Sequence, residues 1–311
     1  MGTIGSILFQ QILVMFLLIA VGYVLFKGKL VSIEGSKTLS NILLYAVSPC
    51  LIINAYRIER TPERVNGVLI SFALAALGLL LSIVVSRFFF GSKKRRQSHS
   101  LEHFGTAFSN AGFIGIPLVQ AALGEEAVLY VSAFVAFLNI LQWTYGVVVI
   151  TQSREAIRPK KIFQNPVILS MVLSMLIFFF QIPLPEVLGR TIAYVGNLNA
   201  PLAMMILGTY LAQTELLSIF RVPRLYVASF LRLVVIPLLT IAVFCLVPDA
   251  FYEAKMATLI AASAPIGANV ALFAQLNGKD YTYAVKEVCL CTLFCLFTMP
   301  FVMTLAEWLW K

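Results

Sequence analysis

Runs of about twenty residues free of Asp, Glu, Lys and Arg recur along the whole chain, at 6–26, 38–56, 65–86, 104–124, 127–153, 162–185, 191–214, 256–278 and 288–306. A tenth, 225–248, is interrupted only by Arg232. A hydrocarbon layer about 30 Å thick needs roughly 20 apolar residues of helix to cross it. Membrane-crossing strands would instead show about ten residues of alternating polarity, and no such alternation occurs here. The pattern predicts an all-α polytopic membrane protein of ten transmembrane helices.

Composition agrees with that pattern. Of the 311 residues, 60% are hydrophobic and 12% charged, and the mean hydropathy is +0.92. A water-soluble core of ordinary proportions cannot hide that much apolar surface. The net charge of +9 acquires its meaning from position, because cytoplasmic loops retain Lys and Arg. With both termini outside, the inner loops hold Lys27, Lys29, Lys37, Lys93, Lys94, Arg95, Arg96, Arg154, Arg158, Lys160, Lys161, Arg221, Arg224, Lys279 and Lys286. The outer side keeps only Arg57, Arg60, Arg64, Arg190, Lys255 and Lys311. The expected location is the plasma (inner) membrane, multi-pass, with both termini extracytoplasmic. The run "KKRRQSH" is read as an anchor for anionic lipid headgroups, not as a nucleic-acid patch, since no aromatic-interleaved soluble domain accompanies it.

Two further signals are read as decoys. "MGTIGS" fits an N-myristoylation pattern, but a chain already held by ten helices gains little from a lipid. Of Cys289, Cys291 and Cys295, only the last two share a helix face, and both histidines, His99 and His103, fall in a loop, so no metal site is expected.

The longest polar connection, "TQSREAIRPKKIFQNP", divides the spans five and five. An odd number per half forces the second half to insert upside down, which is an inverted repeat. The expected organisation is a first repeat at 1–150, a cytoplasmic linker at 151–166 and a second, inverted repeat at 167–311. "SNAGFIGIPLVQAALG" (109–124) lies without gaps on "SAPIGANVALFAQLNG" (263–278), each being the fourth span of its half and each interrupted by Gly, Pro and Asn.

Those interruptions carry the chemistry. Pro117 lacks an N–H and crowds the carbonyl four residues back, and Gly112 and Gly115 loosen the backbone, so span four is expected to open around 110–116. Span nine is expected to open around Pro265 and Gly267. Freed backbone groups cost several kcal/mol each in hydrocarbon, so two broken helices are expected to cross at one protein-lined site. With Pro117 and Pro265 in the first turns of new half-helices, the free N–H groups and positive dipole ends would face an anion. Asn110 and Asn269 supply amides beside it.

The motif Asn110, Gly112, Phe113, Gly115, Pro117, Leu118, with Pro49, Leu51 and Asn54 in span two and Arg232, Leu233 and Pro237 in span eight, resembles the auxin efflux carrier family, which includes bacterial malonate and malate permeases. The resemblance covers nearly the whole chain, but the long hydrophilic central loop of the plant carriers is absent, which favours a microbial metabolite over auxin. It implies a transporter of small organic anions, by elevator-type alternating access. Spans one, two, six and seven would form a dimerising scaffold, and spans 3–5 and 8–10 the moving domain. It further implies Ser48, Asn54, Asn139 and Gln142 as lining residues.

Arg232 has two readings: a counter-charge for the substrate carboxylate, or a cation neutralising opened carbonyls or reaching Glu287. The acids fall at span ends or in loops, so no carboxylate relay is expected, and coupling to Na+, H+ or membrane potential stays open. No other cofactor is expected. A fixed anion channel or passive facilitator is the alternative. An enzyme is disfavoured because no catalytic cluster falls at membrane depth.

Overall fold

The structure, a computed structural model, describes residues 3–92 and 98–310. Residues 93–97 of the basic run lie outside the described residues. Among the described residues the chain is helical and forms no strand. The main helices are α1 (Thr3–Lys27), α2 (Ile33–Ala55), α3 (Pro62–Phe90), α4 (Ser100–Ala107), α5 (Ala111–Leu123), α6 (Glu125–Thr151), α7 (Pro166–Phe180), α8 (Glu186–Ala212), α9 (Pro223–Phe244), α10 (Tyr252–Ser263), α11 (Asn269–Leu276) and α12 (Tyr281–Leu309). Seven of these, α1, α2, α3, α6, α8, α9 and α12, are long and apolar enough to cross a membrane.

Helix starts are written in local chemistry. Ser32, Thr61, Asn165 and Asp280 each accept a hydrogen bond from an amide of the following first turn, satisfying one of the donors that every helix leaves free. Pro62 and Pro166 follow two of these caps, where a missing N–H does no harm.

Prolines inside the helices leave a different mark. The turns Leu43–Val47, Ala111–Gly115 and Leu231–Val235 are π-helical, and each ends two residues before a proline: Pro49, Pro117 and Pro237. The amides of Ser48, Ile116 and Ile236 reach back five residues, to Leu43, Ala111 and Leu231. The widened turn relieves the clash of the proline ring with the carbonyl four back. A fourth wide turn, Gln142–Gly146, lacks a proline.

Two sets of packing contacts emerge. In one, α1 lies along α8, and α2 packs on α7 and α8. In the other, α3 packs on α4, α6 and α10, while α12 packs on α9 and α11. The sets meet where α1 touches α12 and α5, and where α7 touches α6. The α1–α8 contact is backbone against backbone: a Cβ at Gly22 would stand 2.0 Å from the Met205 carbonyl oxygen, and one at Gly208 would stand 2.0 Å from that of Ile19. Small residues that let helices approach this closely replace the hydrophobic drive that lipid cannot supply.

Three sequence expectations change. The non-helical stretches are 108–110 and 264–268, so they differ in length and the gapless register of the two segments does not hold. Pro117 follows the π-helical turn and sits in the second turn of α5, because the chain turns helical again at Ala111; Pro265 lies in the gap before α11 instead of in its first turn. His103 is buried on α4, not in a loop, because Tyr145 gives its ring a partner at 3.0 Å.

The close approach of α1 and α8 predicts that Gly208→Leu lowers the melting temperature in detergent, at a cost of about 1–3 kcal/mol typical of overpacking. Leu17→Ala, at an exposed position of α1, should stay within about 0.5 kcal/mol of the wild type.

Candidate functional site at the meeting of two interrupted segments

Between α4 and α5, and between α10 and α11, the chain leaves the helix, and the two gaps pair with each other. The Asn110 amide donates to the Pro265 carbonyl at 2.7 Å, and the Gly267 amide to the Phe108 carbonyl at 3.0 Å, closing an antiparallel bridge between Ser109 and Ile266. Gly267 is required by contact: a Cβ would lie 2.9 Å from the Ser109 carbonyl oxygen and 3.3 Å from that of Phe108. The Ile266 amide donates to Cys291 Sγ at 3.3 Å, and Asn199 Nδ2 to the Gly112 carbonyl at 3.4 Å. Freed backbone groups in a dry interior need such partners.

Arg232 serves the C-terminal ends of both first halves. It is fully buried, its Nε donates to the Ala264 carbonyl at 3.1 Å, and its Nη1 donates to the Thr106 carbonyl at 3.2 Å and to Ser82 Oγ at 3.4 Å. These carbonyls terminate α10 and α4, where the helix dipoles are negative. One rigid guanidinium therefore joins two helix ends, and among the described residues it forms no ion pair with Glu287.

The opposite side of the paired gaps opens into a small recess of about 50 Å³. Its lining includes Ser48 of α2, Ser109 and Asn110 of the first gap, Gly112 and Phe113 of α5, Asn139 of α6, Val167 of α7, Gly267 of the second gap and Asn269 of α11. The N-terminal ends of α5 and α11 border it; in α11 the Val270 and Ala271 amides already donate to the Gly267 and Ala268 carbonyls, each at 3.1 Å. Asn110 Nδ2 and Ser109 Oγ are buried and, among the described residues, without a hydrogen-bond partner. Asn269 Nδ2 donates to Gln142 Oε1 at 2.8 Å, leaving Gln142 Nε2 unpartnered. Asn139 is already engaged: its Nδ2 donates to the Val135 carbonyl at 2.8 Å, and its Oδ1 accepts from Asn165 at 3.2 Å.

The structure thus brings Ser48, Asn110, Gly112, Asn139, Gly267 and Asn269 together around one recess, with Gln142 behind Asn269. Gly115 packs on Ala261, Pro117 is buried within α5, and Arg232 lies outside the lining. Asn54 sits near the end of α2, where its Oδ1 accepts from Arg57 at 3.1 Å. Ser109 and Asn199 were not among the expected site residues. Ser109 stood in the quoted motif beside Asn110, whereas Asn199 carries no local sign beyond its place two residues before Pro201.

Two larger openings share Leu44 and Asn269 with the recess. The first, about 340 Å³, reaches Lys37, Gln213 and Tyr281; the second, about 280 Å³, reaches Trp143 and Gln164. The first leads to the end of the molecule where α2 and α12 begin and α8 ends, the second to the start of α7. At the other end Arg57 donates to the Gly189 carbonyl at 2.9 Å.

A bundle of apolar helices with a polar recess at the meeting of two interrupted segments fits a multi-pass membrane transport protein. The sequence profile of the family described as "Membrane transport protein" matches residues 7–303. The chain belongs to that family, the one that holds the auxin efflux carriers. A "Putative malonate transporter" of Rhizobium meliloti (strain 1021) is 26% identical over 216 residues, spanning 65% of this chain and 66% of that relative, just under two thirds of its length.

Two substitutions test the crossing. Gly267→Val should separate the bridged gaps and lower thermal stability in detergent, whereas Gly112→Ala, whose added Cβ would meet only Val135 at 4.0 Å, should be tolerated. Arg232→Lys should cost about 1–3 kcal/mol, because an ammonium does not reproduce the planar fork that reaches both helix ends; this is read as a fall in melting temperature.

Proposed function

We propose that the chain is a secondary transporter of small organic anions, carboxylates first among them, working by elevator-type alternating access. The observation that carries this reading is the buried, unpartnered Asn110 Nδ2 facing a recess on which two half-helix N-termini converge. Amide donors and positive dipole ends without a resident counter-charge suit an anion. Arg232, held behind the crossing, adds to the attraction through space while its hydrogen bonds stay with backbone carbonyls. The name of the Rhizobium relative points to a dicarboxylate.

In this reading the ten segments form a 5+5 inverted repeat, at 1–150 and 167–311 around the linker 151–166, with α4/α5 and α10/α11 as its two broken, crossing members. Helices α1, α2, α7 and α8 are the scaffold and the dimer contact. Helices α3–α6 and α9–α12 move together and carry the crossing. The recess, lined from both groups, is where a moving body would hold its cargo against a fixed one. The openings toward Lys37 correspond to an inward-facing state if that end is cytoplasmic, as the loop charges require. Both termini then lie outside, in the plasma membrane, among its lipids.

The test is uptake of labelled malonate into proteoliposomes. Saturable uptake stimulated by counterflow is expected, in contrast to the unsaturated flux of a channel. Asn110→Ala should reduce the rate or affinity about 10- to 100-fold, the value of one hydrogen bond to a charged group, with melting temperature retained. Wild-type rates in that variant would remove Asn110 from the site.

A further inference from the structure

Away from the recess, α4 and α12 bury two carboxyl groups within electrostatic reach of each other. Glu102 on α4 is 2% exposed and Glu287 on α12 is 0%. The Glu287 carboxyl lies over Gly105, whose missing side chain makes its room: a Cβ there would stand 2.6 Å from Oε1 and 3.0 Å from Oε2. Among the described residues neither Glu287 oxygen has a hydrogen-bond partner. Tyr283, one turn earlier on α12 and only half-buried, donates to Glu102 Oε1 at 2.8 Å.

Among the described residues neither carboxyl forms an ion pair. On α4, the His103 ring meets the Tyr145 hydroxyl at 3.0 Å. On α9, Arg224 acts on Tyr283, and Arg232 is engaged with the Thr106 and Ala264 carbonyls. On α12 itself, Cys291 follows Glu287 by one turn. Helix α11, "NVALFAQL", brings no titratable side chain. A carboxylate without donors in a dry interior, as Glu287 would be, is costly. A proton needs no further ligand than the carboxyl oxygen itself, which suits a Glu287 whose oxygens have no other partner among the described residues.

We propose that Glu102 and Glu287 form a proton-binding site, reached by way of Tyr283, whose occupancy is coupled to anion transport. The coupling half rests on the transport reading above. Both acids are wired to the crossing: Cys291, one turn from Glu287, holds the Ile266 amide, and α4, which carries Glu102, ends at the bridged gap. An ionised Glu287 and a bound anion share one low-dielectric body and repel, so the anion favours the protonated pair, and by reciprocity the proton favours anion binding. Proton and anion therefore travel in the same direction.

Infrared spectra of the purified protein at neutral pH should contain the C=O stretch of a protonated buried acid, lost in Glu287→Gln and retained in Glu125→Gln. A band unchanged in Glu287→Gln overturns the site. In weakly buffered detergent solution, at the alkaline pH where the infrared band has fallen to half without malonate, malonate should draw protons from the medium into the wild-type protein and restore the band. Malonate bound without proton uptake overturns the coupling, whether or not any variant folds. In proteoliposomes, an acid exterior should drive uphill malonate accumulation by the wild type, while Glu287→Gln keeps counterflow and loses accumulation. If malonate neither binds nor exchanges, the substrate reading falls, and the infrared band still decides the proton site.

Discussion

An apolar interior leaves no backbone N–H or C=O without a partner, and the rest of the molecule is arranged around that constraint. Two segments stop being helical at 108–110 and 264–268, which frees several such groups at once. They are satisfied by one another, through the Asn110–Pro265 and Gly267–Phe108 hydrogen bonds, and by three side chains from other helices, Arg232, Cys291 and Asn199. Neither gap has these partners alone. Each interruption is therefore a condition for the other, and the contact of the two segments follows from the chemistry of their breaks.

The same arrangement sorts charge. Four helix ends meet at the crossing, and the two negative ones, the C-termini of α4 and α10, are taken by a single guanidinium. The two positive ones, the N-termini of α5 and α11, border the recess with amide and hydroxyl groups and no carboxylate. Had Arg232 projected into the recess, one point charge would have dominated recognition. Held behind it, the arginine leaves recognition to neutral donors whose directions are fixed by backbone, which favours discrimination by shape over capture of any anion.

Hydropathy made the helical segments legible, and Gly, Pro and Asn made their interruptions legible, because both signals are local. Asn110 and Asn269 could be read for the same reason. What stayed hidden depends on partners distant in sequence. "SLEH" at 100–103 reads as a polar loop, yet it opens α4 and is buried, because Tyr283 and Tyr145 reach Glu102 and His103. Glu287 reads as the end of a span, and only the absence of a side chain at Gly105, on another helix, reveals where its carboxyl goes. The unequal gaps escaped a gapless comparison because Pro265 stands inside its gap while Pro117 follows a widened turn.

The two sets of helices meet through contacts of unlike character, and this bears on whether one can slide past the other. Within the first set, α1 and α8 are locked at Gly22 and Gly208 with backbones in contact. Between the sets, Phe16, Ile19 and Leu207 face Val285, Val288 and Cys289 across an almost wholly apolar seam whose cavity is only about 30 Å³. Apolar surfaces have no directional bonds to break, and their contacts are exchanged for similar ones on translation. The polar links across the divide are few and mostly long, such as Asn165 to Asn139 at 3.2 Å, Asn199 to Gly112 at 3.4 Å and Tyr281 to Gln213 at 3.5 Å. The exception is Tyr56, whose hydroxyl donates to the Leu129 carbonyl at 3.2 Å and accepts from Ser132 at 2.9 Å. That link lies on the side of the recess away from the openings, so α2 and α6 are tied by directional bonds where the recess is closed and by apolar contact elsewhere.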